Sequence, residues 1–355
     1  MSSQVDKLAR ISLHEPLHIG LKEDEEDSMP GKGGNKKKEQ EGTPTTLTKE
    51  YIEVPAKLRL VSLLGTLRKK VSEGKVIVFV SSCASCDFHA WLLAQKIPAL
   101  RGSDDEEVPL VDSPVFCLHG DRAQVDRTKA YIEFSRAKRG ILVCTNVAAR
   151  GLDMPNVRHV IQYDPPEDAK EFVHQVGRTG RLGAVGDALL FLLPSETGYL
   201  QVLAKEQLEL KAYKMKAALD NLVTDPASET AESLASHLQY HIEKKVEGEE
   251  AGLLARNGFR SRIRAYATYP ASIKEIFHVR RLHLGHMAKS FGLREQPSLT
   301  GKKTKRELES TGGKGKKVKA GKEDGKKDRN SGSAHKGKTL QQLSVLAQGR
   351  VSEFG

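Results

Sequence analysis

Six short apolar runs recur between Tyr51 and Pro194: YIEV at 51–54, VIVFV at 76–80, VFCL at 115–118, ILVC at 141–144, HVIQY at 159–163 and ALLFLL at 188–193. Stretches with helical spacing separate them. A strand that is apolar at successive positions has no polar face to offer water, so both of its faces must be covered. Strands alternating with helices in this way predict an α/β fold, a parallel sheet with helices on both faces. Such sheets place ligands at the carboxyl ends of their strands.

The loops after those strands carry the polar signals. ILVC runs into TNVAARGLD at 145–153, and HQVGRTGR follows at 174–181. In the second stretch Arg178 and Arg181 are three residues apart, which puts both on one face if the segment is a helical turn. Gly177 and Gly180 beside them allow close approach of another backbone or of a phosphate. Guanidinium forks match phosphate oxygens and stay charged at any working pH. An arginine pair alone also describes a solvated helix end. VIVFV ends in Ser81 and Ser82, hydroxyls that suit either a phosphate or a helix cap. LHGDRAQVDR sets Gln124 and Arg127 one helical turn apart.

The order and spacing of TNVAARGLD and HQVGRTGR resemble motifs V and VI of the DEAD-box ATP-dependent RNA helicases, whose usual forms are TDVAARGLD and HRIGRTGR. The resemblance implies a RecA-like lobe, the second of two. It also implies ATP as cofactor, with Mg²⁺ held by the first lobe. Carried over residue by residue, it gives Arg178, Arg181, His174 and Asp153 catalytic roles, with Arg178, Arg181 and Asp153 at the nucleotide. Arg150 and Asp153 link their loop to the nucleotide and the other lobe. Ser81, Gln124, Arg127, Thr145 and Gly151 become RNA contacts. Asn146 stands where the family usually has Asp, which removes a charge, and Gln175 replaces an Arg of the contact between lobes.

The first lobe's machinery is expected to be missing from these 355 residues. Neither a phosphate-cradling GxxxxGK[ST] loop nor a DEAD box is anticipated, and the acidic run Asp104–Glu107 sits in a Gly and Ser loop instead of ending an apolar strand. Without both, the chain alone should be inactive as an ATPase. The segment Arg10–Gly20 reads as an edge strand similar to the one that closes the first lobe in that family, and Leu21–Leu47 as a solvated linker. The expected organisation is therefore the end of a first lobe plus linker at 1–50, the RecA-like lobe at 51–206, a helical extension at 207–297 and a disordered Lys-rich tail at 298–355. Cys83, Cys86 and His89 superficially suggest a metal knuckle, but no second close cysteine pair exists, so no metal is expected.

After Pro194 the pattern turns helical. Ser195 and Glu196 open one helix, the stretch Ser228–Phe259 has helical spacing with a Ser cap, and Arg260–Leu293 reads as segments broken at Pro270 and ended at Gly292. Leu284, Met287, Ala288 and Phe291 form a stripe expected to be core. Arg260, Arg262, Arg264, Arg280 and Arg281 read either as an ordinary solvated surface or, beside an RNA-gripping lobe, as a basic face expected to extend the nucleic-acid backbone track. The segment resembles the C-terminal extension of the nucleolar DEAD-box subgroup acting in large ribosomal subunit assembly, which implies pre-ribosomal RNA and pre-ribosomal particle proteins as partners.

Residues 301–355 hold 15 Lys plus Arg against 6 Asp plus Glu, so this tail carries +9 of the chain's +11. The clusters KKTKR and KGKKVK are consistent with nuclear or nucleolar targeting and with non-specific phosphate binding, and also describe a tail that only solubilises the chain. Met1–Gly20 shows no positively charged start with an apolar core, so no signal peptide is expected, and no apolar run reaches membrane length. Aromatics are 5% of residues, too few for a base-stacking platform, so a grip on phosphates and 2'-hydroxyls is expected. Three functions remain open: part of an RNA helicase, a non-catalytic RNA-binding assembly protein, and a DNA-unwinding relative.

Overall fold

The computed structural model describes residues 47–99, 107–181, 184–223 and 230–298. The Arg10–Gly20 segment, the linker up to residue 46, Asp104 to Glu106 and the tail from residue 299 lie outside the described residues.

Seven strands form one sheet: β1 (Leu47–Glu53), β2 (Lys75–Phe79), β5 (Val115–Leu118), β6 (Gly140–Cys144), β7 (Val157–Gln162), β8 (Gly186–Leu192) and β9 (Lys211–Ala212). Their order is β5-β6-β2-β7-β8-β1-β9, and every pairing is parallel. Strands β2 and β6 lie inside and are buried at every position, which is why their sequences show no polar alternation. The RecA-like α/β fold expected from the alternating runs is the fold observed.

The differences have local causes. Strand β1 begins at Leu47, four residues ahead of the apolar run, because Leu47–Glu50 pair with Gly186–Leu189 of β8. Only Leu47 and Ile52 of β1 are buried, so the polar first half hides the strand from an apolar search. A separate antiparallel hairpin, β3 (Lys96–Pro98) with β4 (Glu107–Pro109), is too short for a pattern to register.

The helices that cover the sheet include α1 (Arg59–Glu73), α2 (Cys83–Leu93), α3 (Gln124–Arg136), the short α4 (Asn146–Ala149) and α5 (Ala169–Val176). After β8 come α6 (Tyr199–Lys205), α7 (Met215–Asp220), α8 (Ala231–Val246), α9 (Glu249–Ala267) and α10 (Leu284–Lys289). Thr230, not a serine, caps α8 by accepting from the Ser233 amide at 3.2 Å. Helix α9 ends at Ala267, ahead of Pro270 as expected.

Helix α9 packs along α2. Met287, Ala288 and Phe291 of the predicted stripe are buried, with Leu284 half-buried. Phe291 meets Phe88 of α2 at a ring-centroid distance of 5.3 Å, His89 at 5.5 Å and Phe259 of α9 at 6.2 Å. Each such aromatic contributes roughly 1.5–3 kcal/mol by burial, so the extension shares one core with the sheet. Arg262 departs from the basic face foreseen for it. It points inward, 1% exposed, and pairs with Asp164, because α9 turns that side against α2. Arg264, Arg280 and Arg281 are exposed, and Arg260 is half-buried with its Nε donating to the Ser298 carbonyl at 2.8 Å.

Candidate nucleic-acid and nucleotide interface

Strand β6 delivers Thr145 at its carboxyl end. The Thr145 amide donates to the Leu118 carbonyl at 3.2 Å, which ties this loop to the end of β5, and its carbonyl accepts from Ala149 at 3.3 Å to close the single turn α4. Beyond α4 the chain passes Gly151, whose φ of +72° only glycine adopts cheaply and whose Cβ position faces open space. The loop 150–153 is therefore shaped by backbone conformation, with Arg150, Gly151 and Asp153 exposed.

Three side chains, one from α3 and two from the turn after α5, converge on Leu152 and Asp153. Tyr131 of α3 donates its hydroxyl to the Asp153 carbonyl at 2.8 Å. Arg178 Nη1 donates to the Leu152 carbonyl at 2.6 Å, and Arg181 forms an ion pair with the Asp153 carboxylate. Arg181 also donates through Nε to the Gly177 carbonyl at 2.9 Å. Burial and the adjacent Arg181 charge lower Arg178 from its ordinary value.

The two arginines are not on a helical turn, as their spacing suggested. Helix α5 stops at Val176, capped by Gly177. Thr179 then donates to the carbonyls of Val157 and Arg158, each at 2.8 Å, pulling the turn onto β7. Gly180 completes the reversal at a φ of +69°. The outcome still brings both guanidiniums to one loop. His174 is exposed in the last turn of α5. Gln175 is buried and faces the sheet: its Oε1 accepts from Gln162 at 2.9 Å and its Nε2 donates to Glu171 at 3.2 Å. The residue that departs from the motif is thus part of the support for α5.

Gln124 and Arg127 begin α3 one turn apart and hydrogen-bond each other at the surface. Ser81 and Ser82 end β2 with different roles. Ser82 caps α2 by accepting from the Ser85 amide at 3.3 Å. Ser81 is exposed, yet its hydroxyl and amide donate to Asp164 Oδ2 at 2.8 and 2.9 Å. Asp164 also accepts from Arg59 at 3.1 Å and pairs with Arg262 Nε at 3.0 Å. Burial opposes ionisation of Asp164, but Arg262, Arg59 and the two Ser81 bonds outweigh it and hold the carboxyl below its ordinary range. Neither this cluster nor Tyr131 was anticipated. The available signal was Asp164 itself, a carboxylate immediately after an apolar strand.

Cys83, Cys86 and His89 do not converge. The Cys86 thiol donates to the Val143 carbonyl at 3.1 Å, and His89 Nδ1 lies 2.7 Å from the Ser85 carbonyl. Among the described residues, two groups with metal-ligand chemistry share His119: one adds Cys83 and Asp121, the other Asp87 and Cys117. Arg122 lies 3.3 Å from both Asp87 Oδ1 and His119 Nε2, so the second group already holds a cation.

One sequence expectation needs correction. Residues 332–339, GSAHKGKT, do have the spacing GxxxxGK[ST], with Gly332, Gly337, Lys338 and Thr339 at the defining positions. They lie outside the described residues, and the polar KKDRNS before them supplies no apolar strand, the context such a loop requires.

Two family models match the chain. "Helicase conserved C-terminal domain" covers residues 57–183, and "ATP-dependent rRNA helicase SPB4-like, C-terminal extension" covers residues 249–299. The DEAD-box ATP-dependent RNA helicase 17 of Oryza sativa subsp. japonica is 39% identical over 334 residues, covering 85% of this chain and 56% of that protein. The chain belongs to the DEAD-box helicases. A further relative, the ATP-dependent DNA helicase DDX31 of Homo sapiens, is 36% identical over 342 residues, covering 86% of this chain and 40% of that protein. The chain thus spans about half the length, or less, of these two relatives. Among solved structures, Mss116p DEAD-box helicase domain 2 bound to an RNA duplex has the same fold, with a TM-score of 0.52 at 23% identity over 75% of this chain and 93% of that one.

Proposed function

We propose that this chain is the C-terminal part of an ATP-dependent RNA helicase that acts in ribosome biogenesis, in the nucleus and nucleolus, on pre-ribosomal RNA and particles. The observation that carries the reading is the meeting of three segments at Leu152 and Asp153, which gathers Arg178, Arg181 and the α3 helix beside Thr145 and Gly151. The basic extension surface, Arg264, Arg280 and Arg281, supports a longer backbone track.

The groups present fit a nucleotide. Arg178 and Arg181 hold oxygen acceptors at one loop, and Arg181 stays 39% exposed while paired to Asp153. When ATP is bound it supplies the hydrolysable phosphoanhydride. Arg178 and Arg181 would hold its phosphates, with Asp153 released from Arg181 and His174 at the surface beside them. Ser81, Gln124, Arg127, Thr145 and Gly151 would hold the RNA backbone. A positioned guanidinium acts most strongly on charge that develops in the transition state.

The test joins this chain to a first lobe of the family. Arg178→Ala or Arg181→Ala should lower RNA-stimulated turnover by about 10³ while RNA binding is largely kept, and the 355-residue chain alone should hydrolyse ATP no faster than buffer. Turnover within a fewfold of the parent would contradict the assignment. The name of the human relative favours DNA as a second reading, and binding to RNA and DNA of one sequence separates the two.

A further inference from the structure

Asp164 lies at the end of β7 and is 5% exposed. All of its acceptor capacity is engaged: Oδ2 takes both bonds from Ser81, and Oδ1 takes Arg59 and the Arg262 ion pair. Arg262 Nη1 also reaches Ser81 Oγ at 3.4 Å. The four residues come from four places: the start of α1, the end of β2, the end of β7 and the middle of α9. Three of them are buried, with Arg59 and Arg262 at 3% and 1% exposure. Ser81 alone opens to the surface, so it is where this network meets whatever the lobe binds.

Arg262 is enclosed in protein and cannot itself touch a nucleic acid. Its effect must pass through Asp164 and Ser81. Removing it would leave Asp164 with one guanidinium and take a donor away from the Ser81 hydroxyl, and a buried carboxylate with an incomplete shell recruits other partners or water. The loop from Val80 to Ser82, which joins β2 to the cap of α2, would then lose its fixed position.

We infer that Arg262 is a positioning residue for nucleic-acid binding: from the C-terminal extension it presets the Ser81 loop through Asp164, which makes the extension part of the lobe's grip. The inference rests on the proposed RNA contact at Ser81. Tyr269 strengthens the same seam, donating its hydroxyl to the Pro165 carbonyl, next to Asp164, at 2.5 Å.

The full chain is titrated with single-stranded RNA at several salt concentrations, as parent, Arg262→Met, Ser81→Ala and the double variant. Arg262→Met should weaken binding about five- to tenfold with the salt slope unchanged, because no phosphate contact is lost. Ser81→Ala should give a loss of similar size, and the double variant should bind no worse than either single one. Additive losses, or a slope that falls by about one as for a direct phosphate contact, would overturn the inference. Arg262→Lys, which keeps the charge without the fork, should recover part of the loss and serves as the test if Arg262→Met does not fold. Hydrogen exchange at the Ser81 amide reads the coupling without RNA: it should quicken in either Arg262 variant, and unchanged protection would also overturn the inference. A parent chain that binds no RNA defeats the RNA reading, whereas binding with an additive cycle defeats only the role of Arg262.

Discussion

On the turn between α5 and β8, held to the first residues of β7, Arg178 sits half-buried and Arg181 exposed; Gly180 reverses this turn and Gly151 shapes the loop it contacts. At the seam between sheet and extension, Arg59 and Arg262 sit at 3% and 1% exposure around one carboxylate. The first pair keeps its charges near water, where they remain available to a ligand. The second pair is held by a carboxylate and aromatic walls, with Arg59 over the Tyr163 ring at 4.4 Å and Arg262 over Tyr266 at 5.2 Å. The contrast separates two uses of one side chain: a surface guanidinium acts on what binds, and a buried one fixes where other groups stand.

The largest effect that distinguishes the regions is on stability. Phe291→Ala should cost about 3–5 kcal/mol, because it empties a site walled by Phe88, His89 and Phe259. Arg181→Ala, at 39% exposure, should stay within about 0.5 kcal/mol. Denaturant unfolding of both variants measures the difference, and equal losses would erase the distinction between seam and site.

A smaller effect follows from pH. His89 lies in the seam between Tyr163 and Phe291, and burial pushes it from its ordinary 6.5 down to about 4. The unfolded chain therefore takes up a proton that the folded chain refuses, so the contribution is full above 6.5 and is lost as pH falls towards 4. Asp164, held below its ordinary 3.8, is lost only in stronger acid. The thermal midpoint should fall between pH 6.5 and 4 in the parent and less in His89→Phe; parallel curves would remove His89 from the account.

Much of the sheet was legible because β2, β5, β6, β7 and β8 are buried along most of their length, and buried strands write themselves as apolar runs. Strand β1 was half-legible, since its first residues are polar and only pairing with β8 makes them a strand. The site loops were legible by motif, but their geometry was not. Gly177 marks where α5 can stop, but nothing local tells how the turn after it is held, because the pull comes from Thr179 bonding two carbonyls of β7. Arg262 was misread for a related reason. A residue on a basic helix face looks solvated until the helix is docked, and its partner Asp164 lies 98 positions away in the sequence.

The central claim, that the strand-end loops form an RNA groove, is tested most directly by binding. Single-stranded RNA and DNA of one sequence are titrated at several salt concentrations against the full chain and a truncation after Leu299. Deleting the tail, which carries +9 of the +11 net charge, should weaken binding and flatten its salt dependence. Preference for RNA should survive, because a 2'-hydroxyl is read by positioned donors and acceptors in a folded groove. Equal affinity of the truncated protein for RNA and DNA would contradict the claim.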